Sequence, residues 1–259
     1  MSSVVTPLKP KDPTKVRICI VMRKANTTIL CTRHVMPTVE DVITDLNGAK
    51  VMSKLDLSHA YHQLMLSEGS RPITTFSANG QLFRFKRLFV GICSAAEIFH
   101  RTIAQVLNNI SGCLKISDDI IIHGHSIKEH DKNLRAVIER LTDSGLTLNK
   151  NNSELNKTQL EFYGLLFTQE GVKISSSRLE TIKKREAPRD VTETKSFLGM
   201  ANWISRFLND YATLSAPLRQ LTKQNVTWNW GRAEENAFQC IQNGLRRNIS
   251  RQHISTNRR

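Results

Sequence analysis

The sequence predicts an α+β fold in which a sheet-bearing part precedes a helical one. Short β-branched runs recur up to Ile174, and several of them are separated by turn residues such as Asn79-Gly80 and Glu170-Gly171. Beyond Ile174 the apolar residues fall at helical spacing, with proline punctuation and little strand character. The length, 259 residues, suits one large domain or two smaller ones, since domains usually run about 100 to 200 residues. These observations set expected boundaries of 1–174 for the sheet-bearing part, 175–246 for the helical part and 247–259 for a disordered basic tail. No internal repeat is present.

Taken in order, Pro- and Lys-rich residues 1–15 lead into Val16 to Met22, whose β-branched character predicts a strand. Val39, Val42, Ile43 and Leu46 then share a helical face, with Thr38 as N-cap and Gly48 as stop. Lys50 to Leu57 alternates in part and predicts a strand that presents Asp56 near its end. A hairpin is expected from Tyr61–Leu66 through Thr74-Thr75-Phe76 to Leu82–Phe85, turning at Asn79-Gly80. Ser94 to Ile110 carries Ile98, Phe99, Ile103, Val106, Leu107 and Ile110 on one helical face. A second hairpin is centred on Asp118-Asp119, and a Ser126/Glu129 capping box opens a helix that stops at Gly145.

A strand over Leu160–Phe167, turning at Glu170-Gly171 into Val172–Ile174, closes the first part. The second part offers a short basic helix over Arg178–Arg185, then a helix behind an Asp190/Glu193 capping box with Phe197, Leu198, Ala201, Ile204, Phe207 and Leu208 inward. A last helix is expected over Ala233–Arg246. The segment to Arg259 has almost no apolar content, the pattern of a solvated tail.

Composition excludes several function classes. No apolar run approaches the roughly 20 residues of a membrane span, and the start lacks the charged and apolar regions of a secretory signal. An intracellular, non-secreted chain without disulfides is expected. The 5 cysteines never form Cys-x-x-Cys, and His123-Gly124-His125 has no matching partner pair, which argues against zinc. With 37 basic against 23 acidic residues the net charge is +14, a balance that favours a polyanion such as nucleic acid. A membrane surface would want a basic amphipathic helix or a lipidation signal, and neither is clear.

Asp118 and Asp119 interrupt an otherwise apolar run, Leu114-Lys115-Ile116-Ser117-Asp118-Asp119-Ile120-Ile121-Ile122. Burying an ionised carboxylate costs several kcal/mol unless something compensates it, and adjacent carboxylates also repel. Two readings are open. The acids can cap a plain hairpin in water, or they can hold a hard divalent cation by oxygen donors.

Several blocks together resemble the reverse transcriptase of gypsy-type LTR retrotransposons. They are Thr38-Val39-Glu40-Asp41, Lys54-Leu55-Asp56-Leu57, Tyr61-His62-Gln63, Thr74-Thr75-Phe76, Phe85-Lys86-Arg87-Leu88, Ser94 to Phe99, Ser117-Asp118-Asp119-Ile120, Leu146-Thr147-Leu148-Asn149 and Ser196-Phe197-Leu198-Gly199. They are collinear over about residues 3–245, which is more specific than any one block. The resemblance implies a right-hand polymerase core with an antiparallel palm, partly truncated fingers and a helical thumb, lacking ribonuclease H and integrase. It implies an RNA-directed DNA polymerase that extends a primer on an RNA or DNA template with deoxynucleoside triphosphates. Its cofactor would be two Mg2+ ions, with Mn2+ as a substitute.

By the same resemblance Asp56 and Asp118 would bridge both metals and Asp119 would be the accessory third acid. Tyr61 matches the aromatic residue whose ring excludes a ribose 2'-hydroxyl. Its alternative is a core tyrosine. Arg17 and Arg23 align with the fingers strand that grips the triphosphate, where guanidinium binds phosphate bidentately, and Gly91 with the nucleotide and template pocket. Phe162-Tyr163-Gly164 resembles the hairpin under the primer end, so Tyr163 and Gly164 would contact primer. Lys183 and Lys184, with Arg185, would track backbone phosphates. Trp228 and Trp230 match a hydrophobic segment, so packing is expected of them.

The chain departs from the family pattern at Val21, where an acid is usual, at Leu88-Phe89-Val90-Gly91, where Leu-Pro-Phe-Gly or Leu-Asn-Phe-Gly is usual, at Ile116 for Tyr, at Ser153 for Cys and at Ser175-Ser176 for Asp-Pro. It also begins near the first fingers strand and ends in an unrelated basic stretch, as a fragment or a decayed copy would. Three readings follow: a polymerase core, a non-catalytic nucleic-acid-binding derivative, and an inert relic.

Overall fold

The computed structural model describes residues 4–9, 12–16, 18–30, 36–116, 118–203, 205–208 and 210–248. The chain divides into two compact units, Met1–Thr158 and Gln159–Arg259.

The first unit opens with β1 (Val4–Val5), β2 (Leu8–Lys9), β3 (Asp12–Val16) and β4 (Cys19–Ile20). β1 pairs with β4 and β2 with β3, both antiparallel. The strand expected over 16–22 is therefore divided. Val16 ends β3, β4 runs only as far as the two residues of its partner, and Met22 turns to cap the short helix α1 (Arg23–Asn26). Arg17 lies outside the described residues.

α2 (Val39–Asp45) starts as the sequence predicts. The Asp41 N–H donates to Thr38 Oγ1 at 3.2 Å, while the Thr38 N–H donates to Asp41 Oδ2 at 2.7 Å, a reciprocal capping box. β5 (Val51–Asp56) follows, then two 3-10 turns, Ala60–Gln63 and Glu68–Thr74. The first limb of the expected hairpin is thus not a strand. His59, at φ 49°, breaks the extended run before Tyr61, and Met65 makes only an isolated bridge to Arg87. The second limb holds: β6 (Phe76–Ala78) and β7 (Gln81–Phe83) turn at Asn79 and Gly80, at φ 49° and 72°, the left-handed pair that a two-residue hairpin loop requires.

α3 (Ala95–Val106), β8 (Cys113–Ile116), β9 (Asp119–Gly124), α4 (Ile127–Asp143) and β10 (Glu154–Lys157) complete the unit. The central sheet has the order β10-β5-β9-β8, antiparallel throughout. Leu55 of β5, Leu57 just past it and Ile120 and Ile122 of β9 bury against Phe99, Ile103 and Leu107 along α3 and Val137 and Leu141 of α4. Because strand side chains alternate between faces, burying these residues under the helices turns Asp56 and Asp119 to the opposite face.

A buried polar network fixes β5 from the helix side. His130 Nδ1 faces Asp131 Oδ1 at 3.0 Å, an acceptor, so this nitrogen carries the proton and Nε2 accepts from Ser53 Oγ at 2.8 Å. Ser53 Oγ also accepts the Asn156 N–H at 3.0 Å, which ties β10 to the same point. The cap of α4 differs slightly from expectation. Ser126 Oγ accepts the Glu129 N–H, but the Glu129 carboxylate takes the His125 N–H at 2.8 Å, one residue earlier than a capping box would.

The second unit begins with a three-stranded antiparallel sheet, β11 (Gln159–Phe162), β12 (Leu165–Thr168) and β13 (Gly171–Ile174). The run expected as one strand over Leu160–Phe167 turns back on itself at Tyr163 and Gly164, at φ 52° and 72°. Then come α5 (Ser176–Lys183), α6 (Val191–Trp203), a 3-10 turn Ser205–Phe207, α7 (Tyr211–Leu214), α8 (Ala216–Gln220) and α9 (Arg232–Asn248). Phe197 of α6 packs on Phe238 of α9 at 4.8 Å between ring centroids, and Gln242 donates to the Ile182 and Arg185 carbonyls that end α5. Trp228 Nε1 donates to Thr194 Oγ1 at 3.2 Å and Trp230 Nε1 to Glu235 Oε2 at 2.9 Å, so both indoles pack within this unit. Asp190 Oδ1 accepts the Glu193 N–H at 2.7 Å, while Glu193 reaches back to the Arg189 N–H. Ile204 and the tail from residue 249 lie outside the described residues.

Among the described residues no helix is long and apolar enough to cross a membrane. Cys19, Cys113 and Cys240 are free thiols. Cys93 is disulfide-bonded, which departs from the disulfide-free chain expected from composition.

Candidate active site

Asp56 ends β5 and Asp119 begins β9, and the antiparallel register sets them directly opposite each other. Opposed residues of such a pair share a face, with Cβ atoms roughly 5 Å apart. Asp118 sits in the turn immediately before β9. Residues 62 positions apart in sequence, Asp56 and Asp118, are thereby brought to one end of one sheet.

The three acids act on one another's charge. Burial raises the Asp118 carboxyl above the usual carboxylate range, Tyr61 opposes that rise, and the Asp56 charge adds to it. Burial likewise raises Asp119, Lys54 lowers it, and Asp56 and Asp118 both raise it. Lys54 lies two residues before Asp56 on the same face of β5 and also pairs with Glu154 at 3.4 Å. Its charge opposes the rise at Asp119, where burial is the larger effect.

Asp56 is held by the segment after Leu148. Its Oδ2 accepts from Asn149 Nδ2 at 3.0 Å and from Asn152 Nδ2 at 3.1 Å. Its N–H donates to Ser153 Oγ at 3.1 Å, and its carbonyl accepts the Asn149 N–H at 2.8 Å. Asp118 is held less completely, since its buried Oδ1 has no hydrogen-bond partner.

Tyr61 faces Asp118. Burial raises its phenol above the ordinary value, and the Asp118 and Glu97 charges raise it further. Its ring packs at 5.1 Å from that of Phe99 on α3. Glu97, in the first turn of α3, has a buried Oε2 that is also without a partner.

Arg23 and Gly91 form a second group. Asn26, on the same helix as Arg23, donates from Nδ2 to the Gly91 carbonyl at 2.9 Å and accepts the Cys93 N–H at 3.0 Å. Gly91 has φ +133°, and a Cβ there would meet the Ile20 carbonyl at 3.4 Å, so glycine suits the position on both counts. The Arg23 residue is exposed.

In the second unit, Tyr163 is 46% exposed at the β11–β12 turn and packs its ring on Phe162. Trp203 and Arg178 lie against Gly164, where a Cβ would come within 3.5 Å of the indole. Lys183 and Lys184, at the end of α5, share Glu180, at 3.3 Å and 3.9 Å.

The donor set fits a hard divalent cation in kind: it is all oxygen, anionic, and includes an orphaned buried oxygen on Asp118. Among the described residues, however, no group of three His, Cys, Asp or Glu side chains closes into a metal-holding cluster. Sequence reading placed the three acids and Tyr61 but missed Lys54, Glu97, Asn149 and Asn152. Asn149 stands inside the Leu146–Asn149 block, and only the pairing of Asp56 with that segment reveals its contact.

Residues 8–167 match the family model described as reverse transcriptase (RNA-dependent DNA polymerase). The chain belongs to the reverse transcriptase family. This reverse transcriptase domain is 32% identical over 217 residues to the retrovirus-related Pol polyprotein from transposon opus of Drosophila melanogaster, covering 83% of the chain and 22% of that polyprotein. It is 29% identical over 247 residues to the Pol polyprotein from transposon gypsy of the same organism, covering 90% of the chain and 24% of the polyprotein. The reverse transcriptase chain thus spans about a quarter or less of these curated relatives. Among solved structures it resembles the foamy viral protease-reverse transcriptase dRH in complex with double-stranded DNA, with TM-score 0.87 and 25% identity, covering 95% of this chain and 44% of that one. The foamy viral protease-reverse transcriptase in complex with an RNA/DNA hybrid shares the fold at TM-score 0.80 and 24% identity, covering 95% and 33%. The expected polymerase fold is the one observed.

Proposed function

We propose that the chain is an RNA-directed DNA polymerase core that adds deoxynucleotides to a primer 3'-hydroxyl on an RNA or DNA template. The observation that carries this reading is the opposed pair Asp56 and Asp119 with Asp118 in the adjoining turn. Two divalent cations, Mg2+ or in substitution Mn2+, would supply charge stabilisation for the attacking hydroxyl and the leaving pyrophosphate. Asp56 and Asp118 would hold them, with Asp119 as the third donor.

The remaining residues position the substrates. Tyr61, braced by Phe99, sets a ring beside Asp118 that leaves room for deoxyribose and meets a 2'-hydroxyl. Arg23, with Arg17, offers guanidinium to the triphosphate. Gly91 lets the loop backbone approach the nucleotide. Tyr163 and Gly164 support the primer end, and Lys183 and Lys184 contact backbone phosphates, a role in keeping with the net charge of +14.

A second reading, a non-catalytic nucleic-acid binder, keeps the fold and is in line with the net charge of +14. Primer extension on RNA and DNA templates with Mg2+ or Mn2+, run beside Asp118→Asn, separates the two. Extension that Asp118→Asn abolishes supports the polymerase. No extension by folded protein refutes it, and salt-sensitive template binding that survives the substitution then favours the binder.

A further inference from the structure

Oxygen Oδ2 of Asp56 is already engaged. It accepts two side-chain amides, from Asn149 at 3.0 Å and Asn152 at 3.1 Å, both from the segment that follows α4. The same segment takes the backbone of Asp56 on both sides. Ser153 Oγ accepts the Asp56 N–H and itself donates to the Asn149 carbonyl at 2.8 Å, and the Asn149 N–H donates to the Asp56 carbonyl. Leu57 bridges Leu148, and the Ser58 N–H donates to the Thr147 carbonyl. The end of β5 is thereby clasped on one side by residues 147–153, in addition to its ladder with β9 on the other.

Two neutral donors on one carboxylate oxygen do not neutralise the group. They fix the plane in which the carboxylate lies. With Oδ2 directed at the amides, Oδ1 is the oxygen left to a further partner, so the two amides both orient and retain the Asp56 carboxylate. We propose that Asn149 and Asn152 are positioning residues for Asp56, and that they set its free oxygen as a cation ligand. The proposal rests on the polymerase reading of the acids. Hydrogen-bond partners behind a metal-ligating carboxylate commonly change metal affinity or activity by about 10- to 100-fold when removed.

The opposite expectation is physically reasonable, which makes the idea testable. If the amides merely competed for Oδ2, removing them would free a second oxygen and tighten cation binding. Asn152 is the cleaner handle, because its hydrogen bond to Asp56 is its described side-chain contact, whereas Asn149 Oδ1 also accepts the Asn151 N–H at 3.2 Å.

The experiment titrates Mn2+ into the full chain and reads free Mn2+ by electron paramagnetic resonance, for the parent, Asp56→Asn, Asn152→Ala, Asn152→Gln and the Asn149→Ala/Asn152→Ala pair. Circular dichroism melting on each reports whether the fold is retained. The expected result is a roughly tenfold weaker apparent affinity for Asn152→Ala, a larger loss for the pair, and partial recovery with Asn152→Gln, which restores an amide. Primer extension should show the same order in the Mg2+ concentration needed for half-maximal rate. Affinity equal to or tighter than the parent in both Ala variants, with Asp56→Asn weakened, would overturn the positioning role alone. Affinity unchanged in Asp56→Asn would instead remove the metal-binding reading of Asp56 beneath it.

Discussion

Asp119 stands directly opposite Asp56 across the β5–β9 ladder. Two carboxylates in that relation repel, and at Asp118 and Asp119 burial, with the neighbouring acid charges adding to it, raises the carboxyls above their usual range. Keeping such a cluster together costs stability. Asp56→Asn and Asp118→Asn should each lower primer extension by at least about a thousandfold, since loss of a metal ligand removes several kcal/mol of charge stabilisation and each 1.36 kcal/mol is tenfold in rate. Neither should lower the melting temperature, because each removes a repelling charge. A melting temperature that falls with activity would assign these acids a structural role instead.

Tyr61 offers a test that reads a ratio of substrates and not a rate. If its ring is the barrier to a 2'-hydroxyl, Tyr61→Ala should raise ribonucleotide incorporation relative to deoxynucleotide by about tenfold or more, while Tyr61→Phe, which keeps the ring, should leave the ratio near that of the parent. Competing ribo- and deoxynucleoside triphosphates in single-nucleotide extension measure it. Equal ratios in all three chains would return Tyr61 to the role of a packing partner for Phe99.

On α5, Glu180 holds both Lys183 and Lys184. This sharing limits what either lysine can give to a phosphate. Template binding should weaken steeply with salt, and Lys183→Ala/Lys184→Ala should reduce the slope of log affinity against log salt by up to about two. Glu180→Gln, which frees both ammonium groups, should tighten binding at low salt and steepen the slope. Fluorescence anisotropy of a labelled primer-template across a salt series reads both effects.

How far the sequence revealed the fold depended on whether a structure is local. The Thr38 cap, the Asn79-Gly80 turn and the extent of α9 follow from neighbouring residues, and each was legible. β10 was not. Glu154-Leu155-Asn156-Lys157 has no strand pattern of its own and is extended because it pairs with β5 and docks the Asn156 N–H on Ser53. The residue pattern alone also missed the turn at Tyr163-Gly164, which only the family resemblance pointed to, since tyrosine is an unusual residue at positive φ and the apolar residues on both sides read as one strand. In the site, the acids were visible as an adjacent pair in an apolar run. The amides that hold Asp56 were invisible, because asparagines in a polar loop carry no signal until pairing brings them to it.

The capping box at α2 predicts a pH dependence. Its backbone and side-chain hydrogen bonds from Thr38 hold the Asp41 carboxyl below its ordinary value of 3.8. A carboxyl lowered on folding binds its proton more weakly in the native state, so its contribution to stability is present above about that ordinary value and is lost as pH falls through the lower native one. Thr38→Ala should cost about 1 kcal/mol near neutral pH. The difference between parent and Thr38→Ala should shrink as acid protonates Asp41, which urea denaturation at neutral pH and near pH 3 would show. A gap that stays constant would mean the threonine acts through its acceptance of the Asp41 N–H and not through the carboxylate.

The approach of β9 to α4 gives a sharper stability test. A Cβ on Gly124 would lie 2.5 Å from the His130 backbone nitrogen and 2.8 Å from its Cα, contacts that no rotamer change can relieve. Gly124→Ala must therefore push the strand from the helix, disturbing the Ser53–His130 hydrogen bond on the way, at a cost of roughly 2 to 3 kcal/mol. Gly199, within α6, is the control. A Cβ there meets nothing within 4 Å, and Gly199→Ala should stabilise by up to about 1 kcal/mol through helix propensity. The displacement at Gly124 should also carry to the acids, because β9 holds Asp119 and the ladder to Asp56, so primer extension by Gly124→Ala should fall even at temperatures where it remains folded. Denaturation and extension assays on the two variants check the pair, and a Gly124→Ala chain as stable and active as the parent would show that this strand and helix do not set each other's position.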